Sequence, residues 1–239
     1  MLKDRLKSLL LGGKLAGDAP LVQSTPGSAA SPSSTSLGAV EPSFLYSRHS
    51  HGLDQFFGQI QDQRGLLILD CAGASQANVG FITSLGHRLY SVDFLRTLDE
   101  TFGDASGDTL PRQSEPQLIG SFLAQNLDFP ETHFDGLLVW DALEFLGQPL
   151  LKRVTDRFFR ILKPGAHLLA FFHAEEKATV VPVYSYRISD AKTLALTPRG
   201  ARKPVQLFNN RGIERLFHQF HSVKFFLARD HLREVIVTR

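Results

Sequence analysis

The feature that most constrains the fold is the order of its short apolar runs. Residues 66–69 are a continuous apolar run, residues 134–140 and 166–172 are mainly apolar, and residues 87–92 read as a further strand that stops at Asp93. Each is too short for a buried helix, and continuous apolarity without alternation marks a strand covered on both faces. Helical patterns separate them. Leu53, Phe56, Phe57 and Ile60 lie at i, i+3, i+4 and i+7, and residues 77–85 read as a helix ended by Gly86. Leu151, Val154, Phe158 and Ile161 form one face of a long helix that Lys163-Pro164-Gly165 terminates. Strand and helix in alternation predict a parallel sheet with helices on both faces. The C-terminal end differs. Residues 213–220 read as a helix capped by Asn209 or Asn210. Residues 223–227 and 232–237 are strands too close together for anything but an antiparallel pair.

Outside this core lie two unlike segments. Leu2, Leu6, Leu9 and Leu10 share one helical face, so residues 1–16 are expected to hold an amphipathic helix, suited to a protein partner or an anionic membrane surface. Residues 17–42 are rich in Ser, Pro, Gly and Ala, and are expected to form a disordered linker. The main domain is then 43–239, with a hairpin insertion near 176–205 that turns at Ser189-Asp190. The start of the chain makes a poor signal peptide, no apolar run approaches the roughly 20 residues of a membrane span, and the single cysteine, Cys71, rules out an internal disulfide. A cytoplasmic location is expected.

Several chemistries are excluded by pattern. No Gly-x-x-x-x-Gly-Lys is present, and Gly73 lacks the partners of a nicotinamide fingerprint. His49 and His51 have no cysteine or further histidine beside them, so no metal site is expected. The net charge of +2 does not argue for nucleic acid. The hairpin region does concentrate cations, with Arg187, Lys192, Arg199, Arg202 and Lys203 against Asp190, which could face an acidic substrate; no aromatic RNA-binding motif accompanies them.

The segments LILDCAGAS, LYSVDF, FDGLLVWDALEFL and ILKPGAHLLAFF, at this spacing, resemble the class I S-adenosylmethionine-dependent methyltransferases of small-molecule type over roughly residues 50–239. The resemblance implies a Rossmann-like, doubly wound sheet of seven strands, mostly parallel, with one antiparallel C-terminal strand and the 66–69 strand at its centre. It implies S-adenosylmethionine as cofactor, a turn at residues 70–76 that receives it, and a ribose contact at Asp93. The cofactor-binding candidates are Asp70, Ala72, Gly73, Ala74, Asp93 and Asp141. Ligands of open parallel sheets bind outside the carboxyl ends of the strands, where strand order reverses. An acid there can accept from both ribose hydroxyls, and Asp93 can also cap the helix that follows it.

Two departures from the family pattern stand out. Gly-x-Gly-x-Gly is replaced by Ala72-Gly73-Ala74-Ser75-Gln76. Alanine is harmless if the backbone stays at negative φ and costly if it does not. At the adenine end, the position usually held by an acid or Asn falls on Leu123. No catalytic residue is assigned. Asp141, Glu144 and His173 follow the fourth and fifth parallel strands and could orient a substrate or take a proton, and Trp140 could wall the pocket. Two functions are compatible with this pattern: methyl transfer to a small molecule, or a catalytically silent methyltransferase fold that serves as a binding or scaffold subunit.

Overall fold

The structure is a computed structural model and describes residues 46–103, 109–226 and 231–239. The expected N-terminal helix and linker lie outside the described residues. In chain order the strands are β1 (Tyr46–His49), β2 (Leu67–Asp70), β3 (Arg88–Ser91), β4 (Phe134–Trp140), β5 (Leu162–His173), β6 (Val181–Asp190), β7 (Thr193–Arg202), β8 (Ser222–Phe226) and β9 (Leu232–Thr238). The α-helices are α1 (His51–Gly58), α2 (Gln76–Ser84), α3 (Phe94–Phe102), α4 (Pro116–Leu127), α5 (Gln148–Ile161) and α6 (Asn210–Leu216).

The main sheet has six strands in the order β3-β2-β4-β5-β9-β8. β2 pairs in parallel with β3 and β4, and β4 with β5. β9 is antiparallel to both β5 and β8, so it alone runs against the sheet, as its short connection requires. Order reverses at β2: the chain first moves out to β3, then returns to lay β4 on the other side.

Seven strands were expected, and the described residues supply six. Consequently the 66–69 strand is next to the edge strand and not central. The segment before β4 supplies a helix instead, with Pro116 in its first turn. Ile119, Phe122, Asn126 and Leu127 are buried at spacings of three, four and one, which is helical periodicity. Asp135, second residue of the FDG segment, ties three strands together. Its Oδ2 accepts from the Leu67 amide at 2.9 Å, and Lys163 Nζ donates to its Oδ1 at 2.8 Å.

Apolar residues fill both faces. Phe94, Phe122 and Phe158 pack on one side with α3, α4 and α5. Leu53, Phe56, Phe57 and Ile82 pack on the other with α1 and α2. The hairpin β6–β7 does not join the main sheet. It forms a second, three-stranded sheet with β1, in the order β1-β7-β6. The strand at residues 46–49 was not anticipated from the sequence. The rings of His49 and His51 touch edge-on at 4.6 Å, and no metal-holding cluster occurs among the described residues.

Candidate functional site

The turn after β2 is well formed. Asp70 ends the strand fully buried, and its carboxylate accepts from Ala72 N at 3.0 Å, Asn78 Nδ2 at 2.8 Å and Trp140 Nε1 at 2.7 Å. Burial raises its pKa, and the Trp140 and Asn78 hydrogen bonds pull the other way. Gly73 then takes φ +86°, its amide donating to Val92 O at 2.9 Å. It is the one residue of the turn in the left-handed region; Ala72 and Ala74 are not there. A Cβ at position 73 would lie 2.9 Å from Asp93 Oδ2. The single glycine therefore sits where backbone and close approach both demand it, and the alanines occupy positions that tolerate a methyl group.

Asp93 performs two tasks at once. Oδ1 accepts from Arg96 N at 3.1 Å and caps α3, while Oδ2 lies against Gly73. Ala72 and Asp93 are joined by an isolated backbone bridge, which clamps the turn to the end of β3. A groove of about 500 Å³ opens here, walled by Gly73, Ala74, Asp93, Arg96, Gln125 and Asn126. Leu123 is inside α4 and half-buried, whereas Gln125 and Asn126 of the same helix are among the groove's walls. Of the expected site residues, Gly73, Ala74 and Asp93 share this groove. Asp70, Ala72 and Asp141 are not among its walls.

Beside it, the crevice between the carboxyl ends of β2 and β4 is filled. Trp140 closes β4 at φ +57° and lies flat on Tyr186 of β6, with centroids 4.7 Å apart and planes 11° apart. Phe171 meets both rings at 5.6 Å. Asn78 locks β6 down: its Nδ2 donates to Tyr186 O at 3.2 Å as well as to Asp70, and its Oδ1 accepts from Ile188 N at 2.8 Å.

Asp141, Glu144 and His173 are all buried around this crevice. His173 Nδ1 and Glu144 Oε2 are 2.5 Å apart, and the His173 amide donates to the same carboxylate at 3.1 and 3.2 Å. Burial pulls the His173 pKa down, but Glu144 and Asp141 outweigh it and leave the imidazole raised. Burial pushes Asp141 up to about 6, against the downward pull of the Tyr186 hydroxyl and His173. The Tyr186 hydroxyl lies near enough to exert that pull, yet the pair does not reach hydrogen-bond geometry. Asp141 Oδ2, Tyr186 Oη and His173 Nε2 are buried without a hydrogen-bond partner.

A second buried charge group secures the sheet of β1. Glu234 of β9 accepts from Arg48 Nη2 at 2.5 Å, Ser50 Oγ at 3.0 Å and Gly52 N at 2.5 Å. Asn78, Tyr186 and Glu234 escaped the sequence reading. An amide on an apolar helix just after the turn was the available signal for Asn78. Nothing local marks the other two, because their partners are more than 100 positions away.

No family model and no curated protein matches the chain. Several solved structures are similar to it. The PH0226 protein of Pyrococcus horikoshii is 12% identical, with 78% of this chain and 88% of that one covered and a TM-score of 0.46. The 1,6-didemethyltoxoflavin-N1-methyltransferase of Burkholderia thailandensis, solved with 1,6-didemethyltoxoflavin and S-adenosylhomocysteine, is 12% identical over 79% and 76%, with a TM-score of 0.44. A type 11 methyltransferase, so described as putative, from Sulfolobus solfataricus is 14% identical over 80% and 94%, with a TM-score of 0.43.

Proposed function

We propose that this chain is an S-adenosylmethionine-dependent methyltransferase acting on a small molecule. The observation that carries the proposal is the groove at the strand ends, where the left-handed Gly73 turn is clamped against Asp93. The residues present fit the nucleoside half of that cofactor. Gly73 and Ala74 offer close backbone approach, the exposed edge of Asp93 offers a carboxylate to ribose hydroxyls, and the Gln125 and Asn126 amides can read the edge of a base. When bound, the cofactor supplies an activated methyl group, so what remains for the chain is alignment, exclusion of water and management of one proton. His173, oriented by Glu144, and Asp141 are the groups buried at the right strand ends to hold that proton.

A second function has its own support. Trp140 and Tyr186 fill the crevice beside the groove, and Asp70 spends its carboxylate on Trp140, Asn78 and Ala72. That arrangement suits a silent fold that holds a nucleoside for a partner, with residues 1–16 as the partner's attachment. Calorimetric titration with S-adenosylhomocysteine tests the shared part: saturable binding, weakened at least tenfold by Asp93→Ala, is expected. Absence of binding to the wild-type chain refutes both functions. Binding without methyl transfer to any phenol, amine or thiol offered as acceptor selects the second.

A further inference from the structure

Ligands of open α/β sheets enter at the carboxyl ends of the strands where order reverses. Here that place is the crevice between β2 and β4, and it is occupied by a side chain from elsewhere in the chain. The phenol ring of Tyr186 lies face-on to Trp140 and edge-on to Phe171, as a flat ligand would lie in an aromatic pocket. Its hydroxyl faces Asp141. The strand that delivers it belongs to the separate sheet of β1, β7 and β6, so no main-sheet ladder bond breaks if it withdraws.

The packing is also incomplete in one respect. Tyr186 Oη, Asp141 Oδ2 and His173 Nε2 are all buried and all without a hydrogen-bond partner. Buried polar atoms are normally paired, because leaving them unmade forfeits their hydration. The Tyr186 and Asp141 atoms at this strand-end crevice amount to hydrogen-bonding capacity that the closed hairpin does not use. A free phenol, not bound to the geometry of a strand, can turn its hydroxyl to donate to Asp141 and still face Trp140.

We propose that this crevice is a binding site for a small phenol, and that Tyr186 holds the place of that ring until the phenol displaces it. Casting the phenol as the methyl acceptor rests on the methyltransferase function above. The ring site itself does not, and the two fail separately, since S-adenosylhomocysteine titration tests the groove and phenol binding tests the crevice.

Trp140 is the chain's single tryptophan, so its fluorescence reports on the site directly. Tyr186→Ala should shift Trp140 emission to the red. p-Cresol, which is the tyrosine side chain, should reverse the shift and bind about tenfold more tightly than toluene, the same ring without the hydroxyl. In the wild-type protein, p-cresol should speed hydrogen exchange at the Ile188 amide, which Asn78 holds only while β6 is down; toluene should not. If Tyr186→Ala does not fold alone, refolding yield with each compound makes the same comparison. Equal effects of toluene and p-cresol mean an apolar hole with no polar handle and overturn the proposal. So does an Ile188 amide that p-cresol leaves unchanged, or a refolding yield that p-cresol does not raise.

Discussion

The groove at Gly73 and the crevice at Trp140 sit side by side on one edge of one sheet, and they are built by different means. The groove is held by neighbours in sequence: a turn, the strand end next to it, and the cap of the helix that follows. Its walls are backbone and short polar side chains, and it stays open. The crevice is held from a distance. Asn78 reaches Tyr186 and Ile188, Trp140 reaches Asp70, and Glu234 reaches Arg48. Its walls are aromatic, and it is shut. Local construction leaves a surface that a ligand can use at once. Long-range construction leaves an interior whose use requires a strand to move.

The contrast predicts that damage on the closed side costs more. Glu234→Ala removes the carboxylate shared by Arg48, Ser50 and Gly52 and leaves a buried guanidinium without it. A loss of about 3–5 kcal/mol in urea unfolding is expected; a loss under about 1 kcal/mol would mean that the second sheet is not anchored there. Asp141→Asn should act with the opposite sign and depend on pH. Asp141 is easier to protonate when folded, rising from 3.8 to about 6. Its contribution to stability is therefore fully present below the unfolded value and is lost as pH rises through about 6. The raised His173 pKa acts the same way, present below 6.5 and lost as pH rises through its folded value. Asparagine cannot ionise, so the variant should match the wild type near pH 3 and exceed it by about 3 kcal/mol at pH 8. Urea midpoints that stay parallel across this range would show that Asp141 is not desolvated.

On the open side the effects should fall on binding before stability. Gly73→Ala places a methyl group 2.9 Å from Asp93 Oδ2 at φ +86°. The left-handed backbone costs about 1–2 kcal/mol, and displacement of the Asp93 carboxylate should weaken S-adenosylhomocysteine about tenfold. Unchanged calorimetric affinity would separate the turn from the nucleoside. The smallest effect belongs to Ala72→Gly with Ala74→Gly, the change that gives the turn the glycines of the pattern the sequence resembles. Neither alanine is at positive φ, so binding should not tighten, and the freer unfolded chain should cost about 0.4–1 kcal/mol per site. A gain in affinity would mean that the bound turn differs from the turn seen here.

The opening of the site was legible where its causes were local. An acid ending one apolar run and another ending the next had to come together once the runs were parallel neighbours, and Asp93 could be named as both helix cap and groove wall. The Leu123 position lies inside α4, and the residues of that helix that wall the groove are Gln125 and Asn126. Asp70 was expected at a ligand and is instead enclosed by Trp140 and Asn78, since nothing in LILDCAGAS indicates which side chains will descend on it.

By itself the sequence determined the parallel core, the reversed strand β9, a helix cap at Asp93, an asparagine cap at position 209 or 210, and the single glycine of the turn. These follow from periodicity, connection length and backbone conformation, which act within a few residues. The tertiary structure alone decided that the sheet has six described strands, that β1 joins the hairpin, and that Tyr186 enters the crevice at the reversal of strand order. Those outcomes depend on packing between residues far apart in the chain, where many pairings satisfy the same local pattern and only burial of shape and charge selects among them.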